Sequence, residues 1–346
     1  MQIELKSRRH EVSDADAAME LCYAKGWTDG FPVVPPTAER IGAMLDAAGL
    51  KPEQQLAFIE NRQVSVTAEK AAINAAMAGC KPEYMPVVAA AVEALGDPLY
   101  GYHGPATSTG GSAVFMVVNG PIARELDINS GDNLFGPGWR ANATIGRAVR
   151  LIMRNVIGTL PGELDRSSLG HAGKYTFCIA ENEAESPWPP FHTTRGFRAD
   201  RNVVTIFAAY APHQYSNRLS ATPEGVLATC CATMRISAGT ARQPQCALVF
   251  AGEHMAIMKK AGWRREDVQR YCYEHSQSSI AELKRANLLP GEVTSEDEYT
   301  MYPLVESPQD FLVIAAGGRA GVQSAFIPGW GSKKGSQSVS REIRRP

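Results

Sequence analysis

The chain carries almost no excess charge of either sign: 35 Lys and Arg stand against 36 Asp and Glu, leaving −1 over 346 residues. That balance provides no long-range field for capturing nucleic acid or an acidic membrane, so neither is expected as a partner. The sequence also lacks any apolar run near the roughly 20 residues that span a bilayer. Its opening, MQIELKSRRHEVSDADAAMEL, carries charges where a secretion signal is apolar. The seven cysteines, at 22, 80, 178, 230, 231, 246 and 272, form no CxxC pair and no disulfide-framework spacing. A reduced, cytoplasmic protein with buried thiols is the expectation. Nucleotide and hydrolase motifs are missing too. Gly131 and Gly136 have P-loop spacing, but Pro137-Gly138 stands where Lys-Ser/Thr belongs. No GxGxxG, GxSxG or HExxH occurs, so no organic cofactor is expected and no metal is assigned. A metal held by residues from distant segments would leave no local motif.

What is present reads as a packed globular chain, 44% apolar and 21% charged. Helical spacing is expected over 14–24, 38–48 (capped by Thr37), 67–78, 82–95 and 143–155. Apolar β-branched runs predict buried strands at AVFMVVN, at 174–180, at VVTIFAAY, at CALVFAG and at FLVIAAGG. Further helices are expected over EGVLATCCATM, MAIMKKAG and 265–274, while the basic tail from Lys333 to Arg345 reads as solvated. The alternation predicts an α/β fold, with mixed or mostly parallel sheets flanked by helices. A Pro-Glu-led helix, a loop, an apolar strand and a helix occur in both halves. The expected division is 1–160 and 161–346, two loosely repeated halves packed as one compact unit.

Chemistry concentrates in three places. The loop before the long helix, NSGDNLFGPGWRAN, holds Gly136 and Gly138, with Asn142 as a cap. Free N–H groups there, with Arg140 and Arg147 nearby, suit an anion. Asn119 closes the preceding strand. Second, Lys174 precedes a strand, and Glu181 and Glu183 follow it, at the carboxyl end where α/β active sites form. Paired acids with a lysine are suited to proton abstraction beside a carbonyl. His103, in a glycine-flanked loop, is a candidate general base; Trp188 and His192 read as a Pro-rich covering loop. Third, Cys80 precedes a helix start that would stabilise a thiolate. Glu253-His254 also follows a strand, and Cys272 and His275 share a helical face.

GWTDGFPVVPPTAERIGAML, AINAAMAGCKPEYMPVV, NGPIARELDINSG, FGPGWRANATIGRA, GKYTFCIAENE and FIPGWG together resemble a family of uncharacterised bacterial proteins. That family is associated with small thioredoxin-like proteins bearing selenocysteine or cysteine before Gly-Ser-Cys, the UGSC group. The resemblance implies a thiol-linked or two-component reaction with such a partner, although Cys-Gly-Ser-Cys is absent from this chain.

The leading expectation is an enzyme acting on a small anionic or carbonyl-containing metabolite by acid/base chemistry, of lyase or hydrolase type. The alternatives are a thiol- or selenol-linked redox or sulfur-transfer component and a non-catalytic ligand-binding subunit. A homo-oligomer is expected only as the common state of intracellular enzymes.

Overall fold

The structure, a computed structural model, describes residues 4–237 and 239–346. Helices α1 (Ala15–Ala24) and α2 (Ala38–Ala48) are capped by Asp14 and Thr37, whose side chains accept the N–H groups of Ala17 and Arg40. A hairpin that periodicity did not predict, β1 (Gln55–Ile59) and β2 (Val64–Thr67), leads into α3 (Ala68–Ala78). Next come α4 (Met85–Leu95), the short α5 (His103–Thr107) and β3 (Ala113–Asn119). They are followed by α6 (Pro121–Glu125), α7 (Arg140–Asn155), β4 (Cys178–Ala180) and β5 (Val203–Ala209).

The remainder follows a partly similar order of helices and strands. After β6 (His213–Ser216), helix α8 (Pro223–Ser237) precedes β7 (Cys246–Phe250), α9 (Gly252–Lys260) and α10 (Arg265–His275). A small excursion follows, made of β8 (Ser278–Ser279), α11 (Ile280–Arg285) and β9 (Met301–Tyr302). Strands β10 (Phe311–Ala315), β11 (Gln323–Pro328) and β12 (Val339–Glu342) complete the chain.

Two four-stranded mixed sheets result, ordered β12-β5-β3-β4 and β10-β7-β11-β6. In each, one central strand pairs parallel with the edge strand beside it: β3 with β4, β7 with β10. That strand pairs antiparallel with its other neighbour, β5 or β11. The far edges, β12 and β6, are antiparallel as well.

Alternation along each strand sorts side chains to two faces. Phe115 and Val117 of β3 meet Val249 of β7 and Ile314 of β10 in a core between the sheets. Met116 and Val118 point the other way, onto the helices before and after β3. Leu248, Phe250 and Val313 likewise face α8, α9 and α10. The layers run helix, sheet, sheet, helix, so both faces of each sheet are covered, which is why the strands read as unbroken apolar runs. Gly146 lets α7 press on the segment before β4, since a Cβ there would lie 2.4 Å from Thr176 Oγ1.

The sheets do not divide at residue 160: β4, β5 and β12 all lie beyond it and complete the first sheet. Nor is the basic tail solvated throughout. It carries β12, with Val339 and Ile343 in the core, while Lys333, Arg341 and Arg345 pair with Asp310, Asp97 and Glu125. No helix among the described residues is long and apolar enough to cross a membrane.

Candidate active site

Strands β3 and β4 run parallel with Val118 opposite Ala180, so Asn119 and Glu181 leave the sheet side by side at its carboxyl end. The Asn119 Nδ2 group donates to Glu181 Oε2 at 2.6 Å and to Glu183 Oε1 at 2.8 Å. The Gly120 N–H also donates to Glu183 Oε1, at 2.7 Å. Residue 120 has to be glycine here: its φ is +91°, and a Cβ would sit 2.3 Å from the Arg201 carbonyl oxygen.

Glu181 is wholly enclosed. Its Oε2 accepts the Phe191 N–H at 2.5 Å, and its Oε1 accepts from Arg265 Nη2 at 3.1 Å. Arg265 opens α10 and is buried as well, donating to the carbonyls of Val313 and Pro189 and lying near the Trp188 and Phe191 rings. Burial pushes the Glu181 carboxyl up to about 7, and prevails over the opposing pull of Arg265, the Phe191 N–H and Asn119.

His192, read from sequence only as part of a covering loop, stands beside this pair. Its Nε2–H donates to the Arg198 carbonyl at 3.0 Å, which leaves the lone pair on Nδ1. Nδ1 lies 3.9 Å from Glu183 Oε1 and, among the described residues, has no hydrogen-bond partner. Burial holds the imidazole below its ordinary pKa, and so neutral. Asn119 Oδ1 is likewise buried without a partner. Two unmet acceptors thus belong to residues flanking one carboxylate oxygen. Arg265 had no local signal beyond opening a helix.

The remaining sequence candidates fall elsewhere. Lys174 sits ahead of β4, away from the acids, bound to Asp165 at 2.9 Å and to Ser167 Oγ at 2.6 Å. With Arg150, Tyr100 and Tyr102 it lines a narrow cavity of about 20 Å³, and burial lowers its pKa. His103 is exposed at the start of α5. The expected anion cradle is otherwise engaged. Arg140 donates twice to the Gly79 carbonyl, and Arg147 grips the Asp29 carboxylate. Helix α7 begins at Arg140, so Asn142 lies within its first turn rather than capping it. The Asn142 side chain accepts the Asn129 N–H and donates to the carbonyls of Asn129 and Cys178. Gly136 backs onto the Asn133 amide, and Gly138 turns the chain with φ +134°.

Cys80 is buried, and that burial pushes its thiol up to about 12, away from the thiolate expected of a helix start. All seven cysteines are buried and free. His254 is enclosed, bonded to Ser324 Oγ at 2.7 Å, and Glu253 accepts the Gly321 N–H. Cys272 is enclosed, whereas His275 packs on the Tyr271 ring. Among the described residues, no group of three or more His, Cys, Asp or Glu is arranged to hold a metal ion. No protein-family model and no curated protein matches the chain.

Proposed function

We propose that the chain is an enzyme that moves a proton on a small carbonyl-containing metabolite, of lyase or hydrolase type, at the Glu181–Glu183–His192 cluster. The observation that carries this reading is the cluster's geometry: Asn119, Glu181 and Glu183 joined at the carboxyl end of a parallel strand pair, with His192 Nδ1 3.9 Å from Glu183, where burial pushes the Glu181 carboxyl up to about 7. A group with that pKa gives and takes a proton at similar cost near neutrality, as a general acid/base must. Asn119 joins it to Glu183, whose side chain keeps 26% of its exposure and so reaches solvent. The unmet acceptors on Asn119 and His192 call for a donor. A substrate hydroxyl leaving in an elimination, or a water attacking a carbonyl, supplies one.

A carbonyl-bearing substrate is favoured over one selected by charge, because Arg140 and Arg147 are occupied. The thiol-linked reading, with its UGSC-type partner, has no exposed cysteine to start from.

The test is proton exchange in D2O. A panel of 2-oxo and 3-hydroxy acids and amides is incubated with the protein, and deuterium entering the carbon beside the carbonyl is read by NMR. At least one compound is expected to exchange, and Glu181→Gln and His192→Ala to slow that exchange by roughly 10²–10⁴-fold. No exchange across the panel, or full exchange by Glu181→Gln, would overturn the proposal.

A further inference from the structure

The segment 5–12 crosses α1 and α3 and helps to close a cavity of about 630 Å³ on the outer helical layer. Its walls are apolar: Leu21, Trp27, Ile41, Ile73, Met77 and Val156 contribute most of them. The floor is held in place by Asn155, which donates to the Trp27 carbonyl and to Asn74 Oδ1, both at 2.8 Å. This volume falls in the range that encloses a small molecule. The cavity shares no residue with the acid cluster around Glu181.

Cations outnumber carboxylates around it. The single wall carboxylate, Glu69, is turned to the strap, accepting the N–H groups of Ser7 at 2.7 Å and Lys6 at 3.1 Å. The cations Arg8, Arg9 and Lys70 remain around the mouth, with His10 packed edge-on to Trp27. Among the described residues, the Arg8 and Arg9 side chains make no hydrogen bond or ion pair. The Ser7 hydroxyl, also in the wall, is screened from solvent beside the Glu69 carboxylate. An apolar interior and a cationic mouth specify one ligand chemistry.

We infer that this cavity is a binding site for an amphipathic monoanion, its aliphatic body among Leu21, Ile73 and Met77 and its carboxylate head at Arg8 and Arg9. The head gains charge-assisted hydrogen bonds from guanidinium groups. The body gains by leaving water. A cationic amphiphile of the same length receives only the second contribution and meets repulsion at the mouth.

Isothermal titration of the full chain with decanoate, and separately with decyltrimethylammonium, distinguishes these terms. Decanoate is expected to saturate at one per chain, and the cation to bind on the order of tenfold or more weakly, one charged hydrogen bond being worth about that factor. The exposed double variant Arg8→Ala/Arg9→Ala is expected to erase the preference for the anion while leaving thermal unfolding unchanged. Ile73→Trp, which puts an indole into the space assigned to the aliphatic body, is expected to weaken decanoate binding. Absence of saturation, equal affinity for both heads, or full decanoate binding by both variants would overturn the site. So would one ligand per two chains accompanied by a doubled mass, which would make the cavity an interface with a second copy.

Discussion

Two influences pull the Glu181 carboxyl in opposite directions. Burial raises its pKa, whereas the Arg265 guanidinium at 3.1 Å lowers it, and burial prevails. The consequence for stability has a definite sign. In the unfolded chain this carboxyl loses its proton near 4.5, and in the folded chain near 7. Between those values the folded state binds more protons than the unfolded one. Its stability therefore falls as pH rises from about 4.5 to about 7 and levels off above. Asp165 runs the other way. Burial opposes its ionisation, yet Ser167, Lys174 and Arg150 hold its carboxyl far below the usual range. Its contribution is present above the ordinary 3.8 and is lost as pH falls below that value. The two windows do not overlap. Urea midpoints measured at stepped pH should show the decline above 4.5 vanish in Glu181→Gln while the acid limb stays. An unchanged slope in that variant would place the titration on another group.

At the scale of elements, what the sequence disclosed was local, and what it withheld depended on distant partners. Thr37 and Thr67 cap helices from their own neighbourhoods, and the apolar runs at 113–119 and 246–250 are strands as expected. Asn119, Glu181 and Glu183 were legible because each ends or follows such a run, and parallel pairing of β3 with β4 joins them. His192 and Arg265 were not. Their loop and helix fold back onto Glu181 through contacts no short window contains. Strands β11 and β12 lack a long apolar run, and the basic composition around β12 masked its role. The arginines 140 and 147 misled for the same reason: their partners, Gly79 and Asp29, lie far back in the chain. Helix α7 shows the cost of losing one such partner. Asn142 ties its first turn to β4 through one buried hydrogen bond, to the Cys178 carbonyl, and to Asn129 through two. Asn142→Ala leaves the Asn129 N–H without its acceptor and takes a donor from the Cys178 carbonyl, while the Asn129 carbonyl keeps the Ala180 N–H; it should lower stability by about 2–4 kcal/mol. Urea unfolding measures it; a loss under about 0.5 kcal/mol, the size of a neutral surface change, would show that β4 is held by other means.

At the scale of the molecule, the two sheets share a strand pattern but not a chemistry. Where Val118 faces Ala180 in the first, Phe250 faces Ala315 in the second. The residues that follow, Asn119 and Glu181, have Ala251 and Ala316 as counterparts, so only one end of the repeat carries the acid cluster. The chain also returns from the second sheet to the first. Strands β6, β7, β10 and β11 form the second sheet from the stretch 213–328, and β12, which follows β11, edges the first. The first sheet is therefore completed only by chain from beyond the second, and both contribute to the core between them. A molecule tied in this way has no route to unfolding one sheet while the other stays intact, so its transition should be all-or-none despite its length. Far-UV circular dichroism and tryptophan fluorescence, which reports from Trp27 in one helical layer and Trp263 in the other, should trace one coincident urea transition. Deleting residues 339–346 removes β12, and should shift both signals together to lower urea although β12 pairs only within the first sheet. Two separated transitions, in either protein, would mean that β12 is a clasp on independent sheets and not part of a single cooperative core.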